Sequence, residues 1–445
     1  MLLRQVPPAG LDVRVEPSAI APGRGQRVLM VVIAVATFGP YVVGSIRTEQ
    51  LVVYGLLVLT LPFALPRLQT RGGLRLLVPW ALYALVASLS LLPGPSSIAP
   101  YPAGSLLAGY DNVLLPLAIL LLVWTLVPAE RALVALRAFA AAVAVGAAAN
   151  AVLAMIGVVV DLSPLLRPFW TGDGSDSVAV LAAELGRLGG VFNQPVEAGI
   201  VYGIGGLCAV YVWRERPVLL ATLVAIITIG GLLSVSKAFI LGAMPFVLLA
   251  WLWSQRGHRR VVALLVGLLA LLAVLQSGLV ERWAGFDYLT RLLDPSGGLL
   301  DFYSAGRFAE RSTFSEVVDA ALAHSPLVGV GPGGWAVAYD GAVAEALVVA
   351  GVLGLALYAA TMLGILSLAR TGGEEGRFAL LLGIVVLGGC LGFSPLTANR
   401  VATIVWVLAA LLVLVRAHRQ EAPAETTKAA LVTRTAFAKR VSNGA

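Results

Sequence analysis

The sequence predicts an all-α polytopic membrane protein of about twelve transmembrane helices, with two larger external loops that contain short helices. Three observations carry this prediction. Hydrophobic residues make up 59% of the 445, and mean hydropathy is +0.91. Charged residues make up only 12%, about half the usual share for a soluble domain and too few to cover a water-facing surface of this size. The apolar residues also fall into runs close to the roughly 20 residues a helix needs to cross a hydrocarbon core of about 30 Å. This composition excludes a soluble enzyme, a disordered scaffold and a nucleic-acid-binding domain.

In chain order the runs lie at 27–45, 51–66, 75–93, 111–128, 132–160, 197–213, 217–235, 238–254, 260–277, 342–368, 378–393 and 400–416. Charged or Pro/Gly-rich breaks separate them, and the second and eleventh are short. None alternates apolar with polar residues, which excludes the strands of a β-barrel. Residues 1–26 then form a cytoplasmic N-terminal segment. Residues 27–277 hold nine spans, with an external loop at 161–196. Residues 278–341 form a large external loop, 342–416 hold three more spans, and 417–445 form a basic cytoplasmic tail attracted to anionic lipid.

Lys and Arg placement sets the orientation. With both termini in the cytoplasm, 22 of the 31 cations lie inside, and every inner loop has at least two. The outer nine are Arg47, Arg167, Arg187, Lys237, Arg282, Arg291, Arg307, Arg311 and Arg400. Sixteen of the 24 acids also fall outside, so the net charge of +7 divides into +14 within and −7 without. The first ~25 residues lack the apolar core and small-residue cleavage site of a signal peptide. Cys208 and Cys390 sit inside apolar runs and read as packing residues, so neither a disulfide nor a metal site is expected.

The functional mass is expected in the two external loops. In the first, Arg187 precedes a Gly-Gly-Val-Phe-Asn-Gln-Pro stretch in which Asn193 and Pro195 break the helix before the sixth span. Arg187 can bind an anion there or pair with Glu184. In the second, apolar residues at 314, 317, 318, 321 and 322 have helical spacing, with Arg307 and Arg311 four residues apart on one face. His324 follows, then Pro326 and the glycines Gly329 and Gly331. That glycine run lacks the Lys-Ser/Thr of a nucleotide loop. The tenth span opens with Asp340, a candidate N-cap, and Glu345, costly to bury and a functional suspect for that reason. Lys237 follows Ser234 and Ser236 at a span edge, where snorkelling also accounts for it.

These residues resemble the O-antigen polymerase and ligase superfamily of bacterial polysaccharide assembly. Four elements over roughly 180–360 carry the resemblance: Arg187 to Pro195; Ser234, Ser236 and Lys237; Gly306-Arg307 with Pro326 to Gly331; and Asp340 with Gly351 to Leu355. The resemblance implies a glycosyltransferase in the bacterial plasma membrane that needs no cofactor. Its donor is an undecaprenyl-diphosphate-linked glycan, its acceptor a glycan or lipid, and a chain-length regulator is a further partner. It implies that Arg187 and one of Arg307 or Arg311, with Lys237, hold the diphosphate. Asp340, with Glu345 as the other candidate, orients or deprotonates the acceptor hydroxyl. Asn193, His324, Gly329 and Gly331 support the site, with His324 a further general-base candidate. Ligases of this family place a His-Asn-like pair where this chain has Asp340-Gly341, which favours a polymerase over a ligase. A transporter or flippase is the reading from a different class.

Overall fold

The computed structural model describes residues 23–44, 46–64, 73–91, 104–170, 177–254, 283, 285, 313–334, 341–397 and 400–420. Among them the fold is helical, apart from one antiparallel pair of short strands, β1 (Tyr41–Val43) and β2 (Ile46–Arg47). The helices are α1 (Arg24–Thr37), α2 (Thr48–Ala64), α3 (Leu74–Leu89), α4 (Leu106–Leu126), α5 (Ala132–Gly157), α6 (Ser163–Leu166) and α7 (Val178–Glu184). They continue with α8 (Pro195–Trp213), α9 (Pro217–Leu233), α10 (Lys237–Ile240), α11 (Met244–Ser254), α12 (Thr313–His324), α13 (Ala342–Leu366), α14 (Gly373–Gly389) and α15 (Arg400–Gln420).

Six helical stretches among the described residues are long and apolar enough to cross a membrane: α4, α5, α8, the α10–α11 pair, α13 and α15. Shorter apolar helices lie at Thr48–Pro62, Leu74–Leu89 and Pro217–Leu233. The ninth expected span, 260–277, lies outside the described residues.

Burial explains why these helices show almost no hydrophobic face. In α15, residues 401–415 are all buried, and α8 is enclosed by α5, α9, α10, α11 and α14. A helix apolar on every side and covered on every side is the centre of a bundle. The outer helices are apolar on their uncovered side as well. On α1, Met30, Ile33 and Ala34 are buried, whereas Val28, Val31, Val32 and Val35 form an exposed stripe. Val58 and Leu59 of α2 and Val218 of α9 are each about 70–80% exposed. An exposed apolar band of this kind suits hydrocarbon as solvent rather than water.

The expected eighth and tenth spans are interrupted. Residues 241–243 separate α10 from α11. In α13, Gly351 leaves helical geometry (φ 62°, ψ −160°). A break there orphans the carbonyls of Val348 and Val349 and the N–H groups of Val352 and Leu353, because helical bonds join residues four apart. The segment from Pro326 to Gly331 supplies all four partners. Val330 N–H donates to Val348 O at 2.8 Å and Gly331 N–H to Val349 O at 3.1 Å. Val352 N–H donates to Pro326 O at 3.0 Å and Leu353 N–H to Leu327 O at 3.1 Å. Buried backbone groups need such partners, above all where water is absent. Gly329 (φ +68°) and Gly351 (φ +62°) let the two backbones meet, since a Cβ on Gly351 would lie 2.4 Å from Leu327 C.

Polar contacts group the helix ends into two sets. Arg47 meets Asp111, and Arg400 meets Gly39, Phe169 and Val191, at one end of the bundle. At the other end Arg214 meets Glu374, Arg419 meets Glu375, and Arg416 meets Ser367.

Candidate functional site

The end of α7 determines where Arg187 leaves the backbone. Gly186 takes φ +71°, its N–H donates to Ala183 O at 2.9 Å, and Arg187 N–H reaches back to Ala182 O at 2.9 Å. This paired left-handed termination favours glycine at that position. One residue later, Leu188 N–H donates to Leu233 O at 2.9 Å, tying the loop to the end of α9. Arg187 is half-buried and lines a groove of about 520 Å³. The lining mixes apolar Leu153, Val158 and Leu166 with charged Asp161, Arg167 and Glu184. Hydrogen bonds from Ser163 hold the Asp161 carboxyl below the usual carboxylate range, and its Oδ1 accepts Ser163 N–H at 2.9 Å.

Buried polar groups shape the next turn. Asn150, 2% exposed on α5, accepts Val191 N–H at 2.8 Å, and its amide donates to Gly189 O at 3.1 Å and Tyr202 Oη at 2.8 Å. Trp170 Nε1 donates to Gly190 O at 2.9 Å. Gly190 sits at φ +63°, and a Cβ there would lie 2.1 Å from Asn150 Oδ1. The chain then enters α8 with Gln194 as N-cap and Pro195 in the first turn, so the expected helix break at Asn193 and Pro195 is where α8 starts. Half-buried Asn193 and the fully buried Arg400 turn their backbone N–H groups toward the Glu197 carboxylate.

Arg400 closes this region from below the loop. Only 1% exposed, it donates through Nη1 to Val191 O and through Nη2 to Gly39 O at 2.8 Å and Phe169 O at 3.2 Å. Its guanidinium carbon lies 5.5 Å from the Tyr41 ring centre and 5.7 Å from that of Phe192. Beside it, Arg47 pairs with Asp111 at 3.0 Å and contacts Glu49 at 2.9 Å without hydrogen-bond alignment. Asp111 also accepts from Tyr54 Oη at 2.9 Å and from Gln50.

Lys237 opens α10 next to a strained turn. Val235 has φ +45°, a conformation costing a β-branched residue about 1–3 kcal/mol. Ser236 packs so closely on α8 that a Cβ at Gly199 would lie 2.7 Å from its own Cβ. The Leu188–Leu233 bond thus brings the Arg187 and Ser234–Lys237 segments together, although Lys237 does not line the groove.

The remaining expected site residues are dispersed. Glu345 lies in the first turn of α13, 6% exposed, and its Oε2 accepts from Thr397 Oγ1 at 2.6 Å. Ala342 N–H donates to Cys390 O at 2.9 Å, so this turn faces the segment after α14, and Glu345 does not line the groove. The N-cap of α13 is Gly341, without a side-chain cap. That corrects the expectation of Asp340 as the cap: the helix begins one residue later. His324 is exposed at the end of α12. Gly329 and Gly331 belong to the α13 break, and Gly331 packs on Ser90 and Leu91. Asp340, Arg307 and Arg311 lie outside the described residues.

Two residues of this region, Asn150 and Asp111, went unremarked in the sequence, and Arg400 was noted only as one of the outer cations. The signal for Asn150 was a lone amide in an alanine-rich run, and for the other two a charge at the first residue of an apolar run. Intramembrane polar groups of this kind warrant a functional or structural account by default. No protein-family model matches the chain, and no curated protein matches it.

Proposed function

We propose that this chain is a glycan polymerase of the bacterial plasma membrane. It transfers a polyprenyl-diphosphate-linked oligosaccharide to a growing glycan on the external face, with twelve spans and both termini in the cytoplasm. The single observation that carries this reading is Arg187, held by two backbone anchors in a groove lined by both apolar and charged side chains. A lipid diphosphate needs both features: apolar surface for the first isoprene units, and a guanidinium whose paired donors match phosphate oxygens. The same charge stabilises the diphosphate as the glycosidic bond breaks and negative charge grows on the leaving group. The resemblance in the Arg187–Pro195 and Ser234–Lys237 elements adds support, because the two segments meet.

The test is chain elongation in cells carrying Arg187→Ala or Arg187→Lys, each checked for membrane insertion and folding. Arg187→Ala abolishes polymer and leaves lipid-linked single repeats on the external face. Arg307→Ala and Arg311→Ala in parallel identify the second diphosphate ligand. Polymer at the wild-type level in Arg187→Ala cells overturns the reading.

One observation favours a transporter as the second reading. A broken helix with a buried carboxylate, as in α13 with Glu345, is a device by which transporters bind substrate or ions. That reading gains if the lipid-linked repeats accumulate on the cytoplasmic face instead.

A further inference from the structure

The bundle end away from the groove treats its arginines in two ways. Arg214 is paired with Glu374, and Arg419 with Glu375, whose other oxygen accepts from Tyr211 Oη at 3.2 Å. Arg75, Arg370 and Arg416 have no carboxylate partner among the described residues. The Arg416 guanidinium lies within the electrostatic reach of both Arg75 and Arg370.

The backbone explains their convergence. Gly364 lets α13 lie against the start of α3, where a Cβ would come within 2.7 Å of Arg75 O. The 3₁₀ turn Ser367–Thr371 follows directly and carries Arg370. Arg416 of α15 reaches the same turn by donating to Ser367 O at 3.1 Å. Arg75 and Arg370 are exposed and Arg416 is half-buried, so the notch is open to a ligand. Arg75 also sits in the first turn of α3, which has no acidic residue and no side-chain cap, so the helix dipole adds to the positive field.

Like charges gathered this way repel unless an anion lies among them, and guanidinium groups suit phosphate. The surroundings distinguish a lipid from a free ion. Leu74, Val78 and Leu363 are 52%, 45% and 66% exposed within a turn of Arg75 or Gly364, giving acyl chains an apolar surface beside the charges.

We propose that the notch formed by α3, the 3₁₀ turn and α15 binds the phosphate headgroup of an anionic membrane lipid. This requires only that the chain sits in a membrane and is independent of the transferase reading. The test uses the full chain in neutral detergent, following its thermal unfolding midpoint as lipid is titrated. Phosphatidylglycerol raises the midpoint, whereas phosphatidylcholine at equal concentration does not. The double variant Arg75→Gln/Arg370→Gln, at two exposed positions, weakens the apparent phosphatidylglycerol affinity roughly thirty-fold, from two interfacial cations at their usual worth. The control Arg24→Gln/Arg27→Gln, which removes two exposed cations from α1, retains the response. An unchanged response in the first pair, or equal losses in both pairs, overturns the site. Inorganic phosphate reproducing the shift overturns the lipid assignment and leaves a free-anion site.

Discussion

Asn150 Oδ1 accepts the Val191 N–H at 2.8 Å, joining the middle of the bundle to the loop that carries Arg187. The same amide serves Gly189 O and Tyr202 Oη, so one buried side chain satisfies three groups that have no water to turn to. Arg400 holds the Val191 carbonyl from the other side. The turn that positions Arg187 is therefore gripped at both the N–H and the C=O of a single residue.

Asn150→Leu leaves the Val191 N–H, the Gly189 carbonyl and the Tyr202 hydroxyl unpaired. The expected loss is about 2 kcal/mol of stability, read as a lower thermal midpoint in detergent. Under the proposed polymerase reading, polymer formation falls with it, because the Arg187 loop loses its register. A midpoint unchanged from wild type would remove Asn150 from this role.

Arg400→Lys keeps the charge and discards the geometry. A single ammonium cannot reach Gly39, Phe169 and Val191 carbonyls arranged around a planar guanidinium. Losing buried partners of this kind costs about 3 kcal/mol. Limited trypsin digestion reports it directly: cleavage after Arg187 accelerates in the variant relative to wild type.

Glycine substitutions at the α13 break and on the exposed face of α2 have opposite outcomes. Gly351→Ala places a Cβ 2.4 Å from Leu327 C, and the positive-φ extended backbone (φ 62°, ψ −160°), open essentially only to glycine, alone costs about 1–3 kcal/mol. Monodisperse protein recovered by size-exclusion chromatography therefore drops sharply. Gly55→Ala in α2 meets nothing within 4 Å and raises stability by about 0.5–1 kcal/mol through helix propensity.

Asp161→Asn tests the electrostatics of the groove. The amide oxygen still accepts the Ser163 N–H, while one negative charge leaves the groove that holds Arg187. Under the diphosphate reading, the apparent KM for the lipid-linked donor decreases with kcat unchanged. An increase in KM would instead mean that the carboxylate contributes to donor binding.

The apolar runs were legible because polar breaks bound them: described helices stand at eleven of the twelve expected positions, and at six of these the helix is long and apolar enough to cross a membrane. The interruptions were not legible. Gly351 sits in a run as apolar as any other, and its positive-φ backbone exists only because Pro326 to Gly331 supplies the orphaned partners. Arg187 stood out in the sequence as a cation on the disfavoured side of the membrane. Arg400 stood out equally, yet its role as a three-carbonyl anchor depends on loops 361 and 231 residues away.

Hydropathy and charge are local sums, so the sequence by itself determined the solvent this chain lives in, the helices it forms and the cations that need an explanation. Which of those cations is spent on backbone carbonyls and which lines a groove is a matter of pairing between distant segments. That was decided only by tertiary structure, because a buried donor takes whichever acceptor the packing brings within about 3 Å.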